Sequence, residues 1–437
     1  MYQSNYSVGI YTLGCKVNQY ESEAIAEAFV SNGFCLQSPT KVCDIYIINT
    51  CTVTAESDRK ARQFIRRAIH KNPKAYVLVT GCFSQIRPQQ IATIEGVDYI
   101  CGNANKLSVV TEAVKLVAQN AKNAVPVVNI CAPDAHGFEK MRITKFDRTR
   151  AYVKIEDGCE SHCTYCIIPK ARGKIRSKCP ADIIAEITEL TQNGCREVVL
   201  TGIETASYGK DLDGYTLTDL LEAIDRIPNI GRVRLGSLDP SLIKPAFVER
   251  IARLSSLTPH FHLSMQSGSS TVLARMKRKY NVQMALRSIQ LLREAFPDVQ
   301  FTTDIIVGFP GETDEEFAQT IAFVKEAKFL MIHIFPYSKR QGTPAATMNR
   351  QIADEVKEKR VKELSQIESE IRKSILQKQR QKEMLVLFET YENGTAIGHT
   401  ANFFEVVCPC SIDPRTKTFP VRVIDDDGIR CIGKLLL

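Results

Sequence analysis

Short apolar runs rich in β-branched and aromatic residues mark the first third of the chain, at 7–13, 44–49 and 75–80. Amphipathic stretches separate them, at 21–32 and 58–70. A strand-helix-strand rhythm of this kind predicts a parallel sheet covered on both faces. Each run leads into a cysteine: Cys15 in Gly-Cys-Lys-Val-Asn, Cys51 in Asn-Thr-Cys-Thr-Val-Thr, and Cys82 in Thr-Gly-Cys-Phe-Ser-Gln. The carboxyl ends of parallel strands face a common crevice. Three thiols distant in sequence are therefore expected to converge there, with Cys101 after Val97–Ile100 as a neighbour.

A looser stretch at about 120–147, with Pro126, Pro133 and Gly137, reads as a linker. Alternation then resumes, with strands expected at 151–156, 197–203, 231–237, 260–266, 300–307 and 329–337. Helices are expected near 181–193, 216–227, 241–255, 281–295 and 313–327, the last opened by a Thr313/Glu316 capping box. Six such units suggest a β/α barrel, or part of one. Residues 351–382 read as a long charged helix. After it, Asn393-Gly394 and Asp427-Gly428 separate short apolar runs, the pattern of a small antiparallel β domain. The expected class is α/β: an open parallel-sheet domain over 1–125, a linker over 126–147, a partial TIM-like barrel with its long helix over 148–380, and a β domain over 381–437.

Composition narrows the setting. No apolar run approaches the ~18 residues that span a bilayer, and Met1–Ser7 has no secretory signature. A cytoplasmic protein without membrane attachment is expected. Fifteen cysteines are many for a reducing compartment, and their odd number leaves one over in any full disulfide pairing. With 57 basic against 49 acidic residues the net charge is +8, which permits an anionic partner without requiring one. Trp is absent, so aromatic stacking falls to Phe and Tyr.

Directly after the first barrel strand, Cys159, Cys163 and Cys166 form C-x3-C-x2-C in a polar loop. Three thiolates this close suit three corners of a cubane iron–sulfur cluster and leave the fourth iron open. A zinc site would want a fourth ligand, and His162 is awkwardly placed between two of the cysteines. Buried inert cysteines are the bland reading, at odds with so polar a loop.

This motif resembles the radical S-adenosylmethionine (SAM) superfamily. Thr12–Glu21, Ile48–Thr54, Cys159–Pro169 and Phe335–Arg340 with Gly342-Thr343-Pro344 together resemble the methylthiotransferases, more narrowly the MtaB type acting on threonylcarbamoyladenosine in tRNA. The resemblance implies an N-terminal methylthiotransferase domain, a radical SAM barrel and a C-terminal TRAM-like β-barrel. It implies a SAM-binding 4Fe-4S cluster on Cys159, Cys163 and Cys166 and an auxiliary 4Fe-4S cluster on Cys15, Cys51 and Cys82. Two SAM molecules would serve each turnover, one giving a methyl group to cluster-held sulfur and one yielding the 5′-deoxyadenosyl radical. The other nine cysteines are left structural.

Polar residues at carboxyl strand ends are where barrel chemistry is expected. Gly202, Glu204, Ser237, Asp239, Gln266, Ser267, Asp304 and Phe309 are the SAM-binding candidates, each with a capping or loop-solvation alternative. Glu204 departs from the neutral or His residue expected there. Arg275, Lys277, Arg278 and Lys279 could face SAM, RNA phosphate or solvent. Arg59, Arg62, Arg66 and Arg67 on one helix are RNA-binding candidates, a surface helix being the alternative. Lys339–Lys382 carries 12 basic and 6 acidic residues, whereas Glu383–Leu437 carries 5 and 8, an odd balance for an RNA-gripping tail. The expected partners are a tRNA anticodon stem-loop, an electron donor and a sulfur source, with the chain a monomer. The rival readings are an isopentenyladenosine-type enzyme, the ribosomal-protein aspartate enzyme, and a non-catalytic iron–sulfur protein that binds RNA or senses redox state.

Overall fold

The computed structural model describes residues 6–146 and 149–436. The early apolar runs become Ser7–Thr12, Ile45–Thr50 and Tyr76–Gly81, the centre of a six-stranded parallel sheet. Ile45–Thr50 and Tyr76–Gly81 are buried at every residue, as strands covered on both faces must be. Cys35–Leu36 pairs with one edge of Ser7–Thr12, and Tyr99–Cys101 and Val127–Asn129 extend the other side. The stretch read as a linker thus begins as a strand of this sheet. That strand is exposed and only three residues long, too short to show an alternating pattern.

All six barrel strands form where expected: Arg150–Lys154, Glu197–Thr201, Arg232–Leu235, His260–Gln266, Gln300–Val307 and Met331–Pro336. The third breaks at Gly236 and resumes as Ser237–Leu238, dividing the pairing into a three-stranded and a four-stranded set. Every pairing in both sets is parallel. The Thr313/Glu316 capping box opens helix Asp314–Ala327 as predicted. The helix expected at 241–255 is shorter, a 3-10 turn Pro240–Leu242 and then Pro245–Ile251. Pro245 has no N–H to donate to a preceding turn, so it can open the helix but not sit within a longer one. Helix Asp354–Gln377 packs against the last barrel strand. Its Arg360 reaches Glu312 at 2.7 Å and Asp314 at 2.8 Å.

The tail closes into a five-stranded barrel, Glu383–Glu392, Thr395–Thr400, Glu405–Pro409, Thr418–Asp426 and Cys431–Leu435. Asn393-Gly394, both at positive φ, turns its first hairpin. This barrel docks where the large barrel's strands begin. Phe403 stacks on His260 with ring centroids 4.3 Å apart, and Arg150 and Arg234 lie over its face. Glu197 anchors the same spot through Arg234 at 2.7 Å, while Arg232 donates to the carbonyls of His399 and Leu385.

The first helix, Lys16–Ser31, joins the two α/β bodies. Its Tyr20 and Ala24 belong to the barrel's own apolar core. The Tyr20 hydroxyl lies within hydrogen-bond reach of Met141 O at 2.8 Å and Glu186 at 3.0 Å, and Lys178 pairs with Glu186 beside it. Next to Tyr20, buried Glu21 meets three buried cations: Arg172 at 2.7 Å, Lys154 at 2.7 Å and Lys106 at 2.6 Å. Asp157 closes the set, 2.6 Å from Lys154 and 3.2 Å from Arg172. Burial alone would raise the Glu21 carboxyl, but Arg172, Lys106 and Lys154 together hold it well below the usual carboxylate range. The clamp therefore persists at neutral pH and weakens only in strong acid, as pH falls through that lowered value.

Phe403 gives a direct test of the docking. Its φ of +77° is a strained backbone state for an aromatic residue, retained where packing holds it. Phe403→Ala removes the ring stack and both cation–π contacts, an expected loss of about 1–3 kcal/mol. Limited proteolysis should then release the C-terminal barrel first; an unchanged cleavage pattern would contradict this role.

Candidate functional site

A cavity of about 360 Å³ opens at the carboxyl ends of the barrel strands. Cys159, Cys163 and Cys166 all line it, with Ser161, Tyr165 and Ile168 of the same loop. Gly158 lets that loop turn: at φ +91°, a side chain there would sit 1.9 Å from Lys174 O. Thr164 then fastens the loop, its N–H donating to Met276 O at 3.1 Å and its carbonyl accepting from Ala345 N at 2.8 Å.

Of the SAM candidates, Glu204, Ser237, Asp239, Gln266 and Asp304 line the cavity. Gln266 sits at φ +67° where the register of its strand shifts. Such a bulge re-aims a side chain, and strain of this kind clusters at functional sites. Three candidates are absent from the wall. Gly202 packs against Glu156, whose Oε2 would lie 2.7 Å from an added Cβ. Ser267 is fully buried, its hydroxyl within 3.4 Å of Thr320 and 3.2 Å from Ser269 N. Phe309 is buried among Val272, Met276, Tyr337 and Ala345, whereas Ile306, Ile203 and Phe335 are apolar groups on the wall. A loop after a strand gave the right neighbourhood, but not which way each side chain turned.

Glu204 is no solvated rim carboxylate. It accepts from the Cys159 thiol at 3.1 Å and from Ser161 Oγ at 3.2 Å. Glu156 supports it from below by accepting from Glu204 N at 2.8 Å, and burial pushes the Glu156 carboxyl well up, favouring its neutral form. The basic helix end after Thr271 also resolves. Arg278 is drawn inward, donating to Asp239 at 2.8 Å, Ser264 O at 3.1 Å and Cys163 Sγ at 3.3 Å. Arg275 pairs with Glu316 at 2.6 Å, while Lys277 and Lys279 remain exposed. Periodicity could not separate Arg278 from its neighbours.

The other thiols approach from the first sheet. Cys15, Cys51 and Cys82 come after three adjacent strand ends, aligned through Thr12↔Asn49 and Asn49↔Thr80. At Gly14, φ +102°, a side chain would sit 2.8 Å from Cys51 Sγ, so glycine permits this approach. Val53 and Thr54, just past Cys51, line the same cavity as the barrel thiols. Arg340 holds their loop, donating to Thr52 at 2.6 Å and Asp58 at 2.8 Å, and Ser338 accepts from Ala55 N at 3.3 Å. The motif Phe335–Arg340 thus spans both bodies, a role no residue pattern disclosed.

All fifteen cysteines are free thiols. Among the described residues, no three Cys, His, Asp or Glu donors converge closely enough to hold a single metal ion. A cubane would spread its thiolates over separate irons. The surroundings fit as well: Arg278 points an N–H at Cys163, and Arg172 Nε lies 3.4 Å and Asn103 Nδ2 3.5 Å from Cys82 Sγ. Such donors favour sulfur in its charged, ligating form. Without a metal, burial pushes the Cys51 and Cys166 thiols up to about 12 and raises Cys159 further. Cys101 lies in the apolar core beside Tyr99 and Val109.

The basic helix Ala55–Lys71 starts at Thr54 on the cavity wall. Arg59, Arg66 and Arg67 are exposed on it, although Arg59 also pairs with Glu56 at 2.6 Å. Arg62 is half-buried over Phe83. In the C-terminal barrel, Arg415 pairs with Asp413 and Arg422 with Glu383, each at 2.6 Å. Its basic residues are largely neutralised in place.

Thiol reactivity tests this geometry, because only the thiolate attacks. Alkylation of metal-free protein at pH 8 should modify exposed Cys35 and Cys179 at least about tenfold faster than Cys51, Cys159 and Cys166, whose thiols burial raises. Equal rates by peptide mass spectrometry would contradict the buried placement.

Comparison with known proteins agrees. Residues 153–324 match the Radical SAM superfamily, and residues 7–102 match the uncharacterized protein family UPF0004. The threonylcarbamoyladenosine tRNA methylthiotransferase MtaB of Bacillus subtilis is 39% identical over 427 residues, covering 96% of this chain and 94% of that one. The protein of the same name from Thermotoga maritima is 39% identical, covering 88% and 87%. The tRNA-2-methylthio-N(6)-dimethylallyladenosine synthase of Carboxydothermus hydrogenoformans is 35% identical, covering 83% of each chain. Among solved structures, the radical SAM methyltransferase TsrM of Kitasatospora setae, with cobalamin and a [4Fe-4S] cluster bound, superposes with a TM-score of 0.57. It covers 78% of this chain and 77% of that one at 14% identity, which speaks to fold alone. With Cys159, Cys163 and Cys166 on the wall of one cavity and MtaB relatives matching almost end to end, the chain belongs to the MtaB-type tRNA methylthiotransferases, enzymes of the radical SAM superfamily that act on tRNA with SAM and 4Fe-4S chemistry.

Proposed function

We propose that the enzyme adds a methylthio group to C2 of N6-threonylcarbamoyladenosine beside the tRNA anticodon, in the cytoplasm, using two 4Fe-4S clusters and two SAM molecules per turnover. One observation carries the reading: Cys159, Cys163 and Cys166 share a single cavity with the loop just past Cys51. Chemistry that begins at one cluster and ends at another requires both to face one space. The many MtaB relatives favour the threonylcarbamoyl substrate.

When bound, a cluster on Cys159, Cys163 and Cys166 supplies an open iron and an electron for SAM, and a second on Cys15, Cys51 and Cys82 supplies a foothold for sulfur. The protein's part is binding, orientation and exclusion. The C2–H bond of adenine is not acidic, so no side chain in the cavity is asked to act as a base toward it. Glu204, Asp239 and Asp304 offer acceptors for the amino and hydroxyl groups of SAM, while Ser237 and Gln266 can donate as well as accept. Arg278 keeps Asp239 and Cys163 in fixed relation. The target base must leave its stack to reach such a cavity. Exposed Val53 and Phe335 at the wall give it apolar surface. The basic face of Ala55–Lys71 continues from this wall and suits phosphate, with Arg59, Arg66 and Arg67 as the exposed contacts.

Nucleoside mass spectrometry of tRNA from cells lacking the protein tests the substrate. Loss of 2-methylthio-N6-threonylcarbamoyladenosine with the isopentenyl product intact is expected; the reverse would assign the dimethylallyl substrate instead. The cysteine roles divide in vitro. Cys159→Ala should abolish SAM cleavage, whereas Cys51→Ala should still form 5′-deoxyadenosine and insert no sulfur. Methylthiolated tRNA in quantity from Cys51→Ala would overturn the second cluster's role.

A further inference from the structure

The charge cluster that joins the two bodies is unbalanced. Lys106, Lys154 and Arg172 are buried, with only Glu21 and Asp157 as carboxylates among them. Widening the circle leaves the same excess: Arg176 adds a cation 3.6 Å from Asp157, Glu139 adds a carboxyl that accepts from Lys106 N at 3.2 Å, and burial favours the neutral form of the adjacent Glu156. One positive charge too many, out of water, is costly unless an anion lies alongside. The geometry shows where that anion belongs. Arg172 reaches Glu21 and Asp157 through Nη1 and Asn18 Oδ1 through Nη2 at 2.7 Å. Its third edge, Nε, is aimed at Cys82 Sγ at 3.4 Å. Asn103 lies against the same sulfur at 3.5 Å and braces the Arg172 loop by donating to Ala171 O at 2.8 Å. Arg172 itself comes from the barrel, six residues beyond Cys166, yet its sulfur contact lies in the other body.

We propose that Arg172 is a positioning residue for the auxiliary cluster: it presents an N–H to Cys82 sulfur, and the buried positive excess behind it supplies the counter-charge for an anionic cluster on the first sheet. This rests on the two-cluster reading above. A hydrogen bond and a positive field at a ligating sulfur stabilise the more negative, reduced state and raise its reduction potential. The same side chain also ties the two cofactor sites together, since it ends the short helix that follows Cys166 and touches Cys82.

The test is a reduction potential, read by EPR on the anaerobically reconstituted protein. Arg172→Gln removes the N–H and a cation, so the auxiliary cluster's potential should shift down. Glu21→Gln removes an anion from the same group, so the shift should be up, while the SAM-binding cluster's potential stays near wild type in both. A purely structural role would not give opposite signs. Asn103→Asp places a negative charge at the same sulfur without touching Glu21 or Lys154, and a downward shift is expected, so the outcome does not hinge on Arg172→Gln assembling. Fully loaded variants with unshifted potentials, or with Glu21→Gln and Arg172→Gln moving together, would overturn the proposal. Wild-type protein holding a single cluster would instead remove the reading on which it rests.

Discussion

Everything at the active cavity depends on the buried contact between helix Lys16–Ser31 and the barrel. Tyr20 and Glu21, adjacent on that helix, enter the barrel side by side, one into apolar packing and the other into a nest of cations. Buried ion groups add little stability over a well-packed apolar interface. What they add is register. A carboxylate surrounded by three cations has few alternative arrangements, and losing Glu21 strands its buried cations at about 3–5 kcal/mol. Helix Lys16–Ser31 begins immediately after Cys15, so this register also sets where the first sheet's thiols stand relative to Cys159, Cys163 and Cys166.

One further tie acts on the same relation. Arg340 joins the last barrel strand's loop to Thr52 and Asp58, holding the segment beside Cys51. Phe403 closes the opposite end of the barrel, where strands start, and leaves the cavity end free. The charge pattern reflects this plan. Exposed arginines continue from the cavity wall along Ala55–Lys71, whereas the C-terminal barrel pairs its arginines internally and docks by a ring among cations. The acidic balance of that tail, odd for an RNA grip, is consistent with a buttress.

Element order and most strand positions were legible because apolar runs and capping residues act locally: Thr313 with Glu316 and Asn393 with Gly394 each state their own geometry. Cys159, Cys163 and Cys166 stand out by their spacing, and Cys15, Cys51 and Cys82 by their places after adjacent strand ends. The strand Val127–Asn129 was hidden by its length, three exposed residues being too few to carry a pattern. Gly202, Ser267 and Phe309 lie off the cavity wall because a strand end fixes a neighbourhood while the facing of each residue depends on distant partners such as Glu156, Thr320 and Met276. Arg172, Arg278 and Arg340 were out of reach for the same reason. Each acts on a sulfur-bearing loop 90, 115 or 288 residues away, a relation that only the fold creates.

That the chain holds two 4Fe-4S clusters is the central proposal, and metal content tests it most directly. Anaerobically reconstituted wild-type protein should bind about eight irons and eight sulfides per chain, with two distinct 4Fe-4S signals after reduction. Removing Cys51 should cost half of the iron and one signal. Four irons in the wild type, or a full complement without Cys51, would contradict the account.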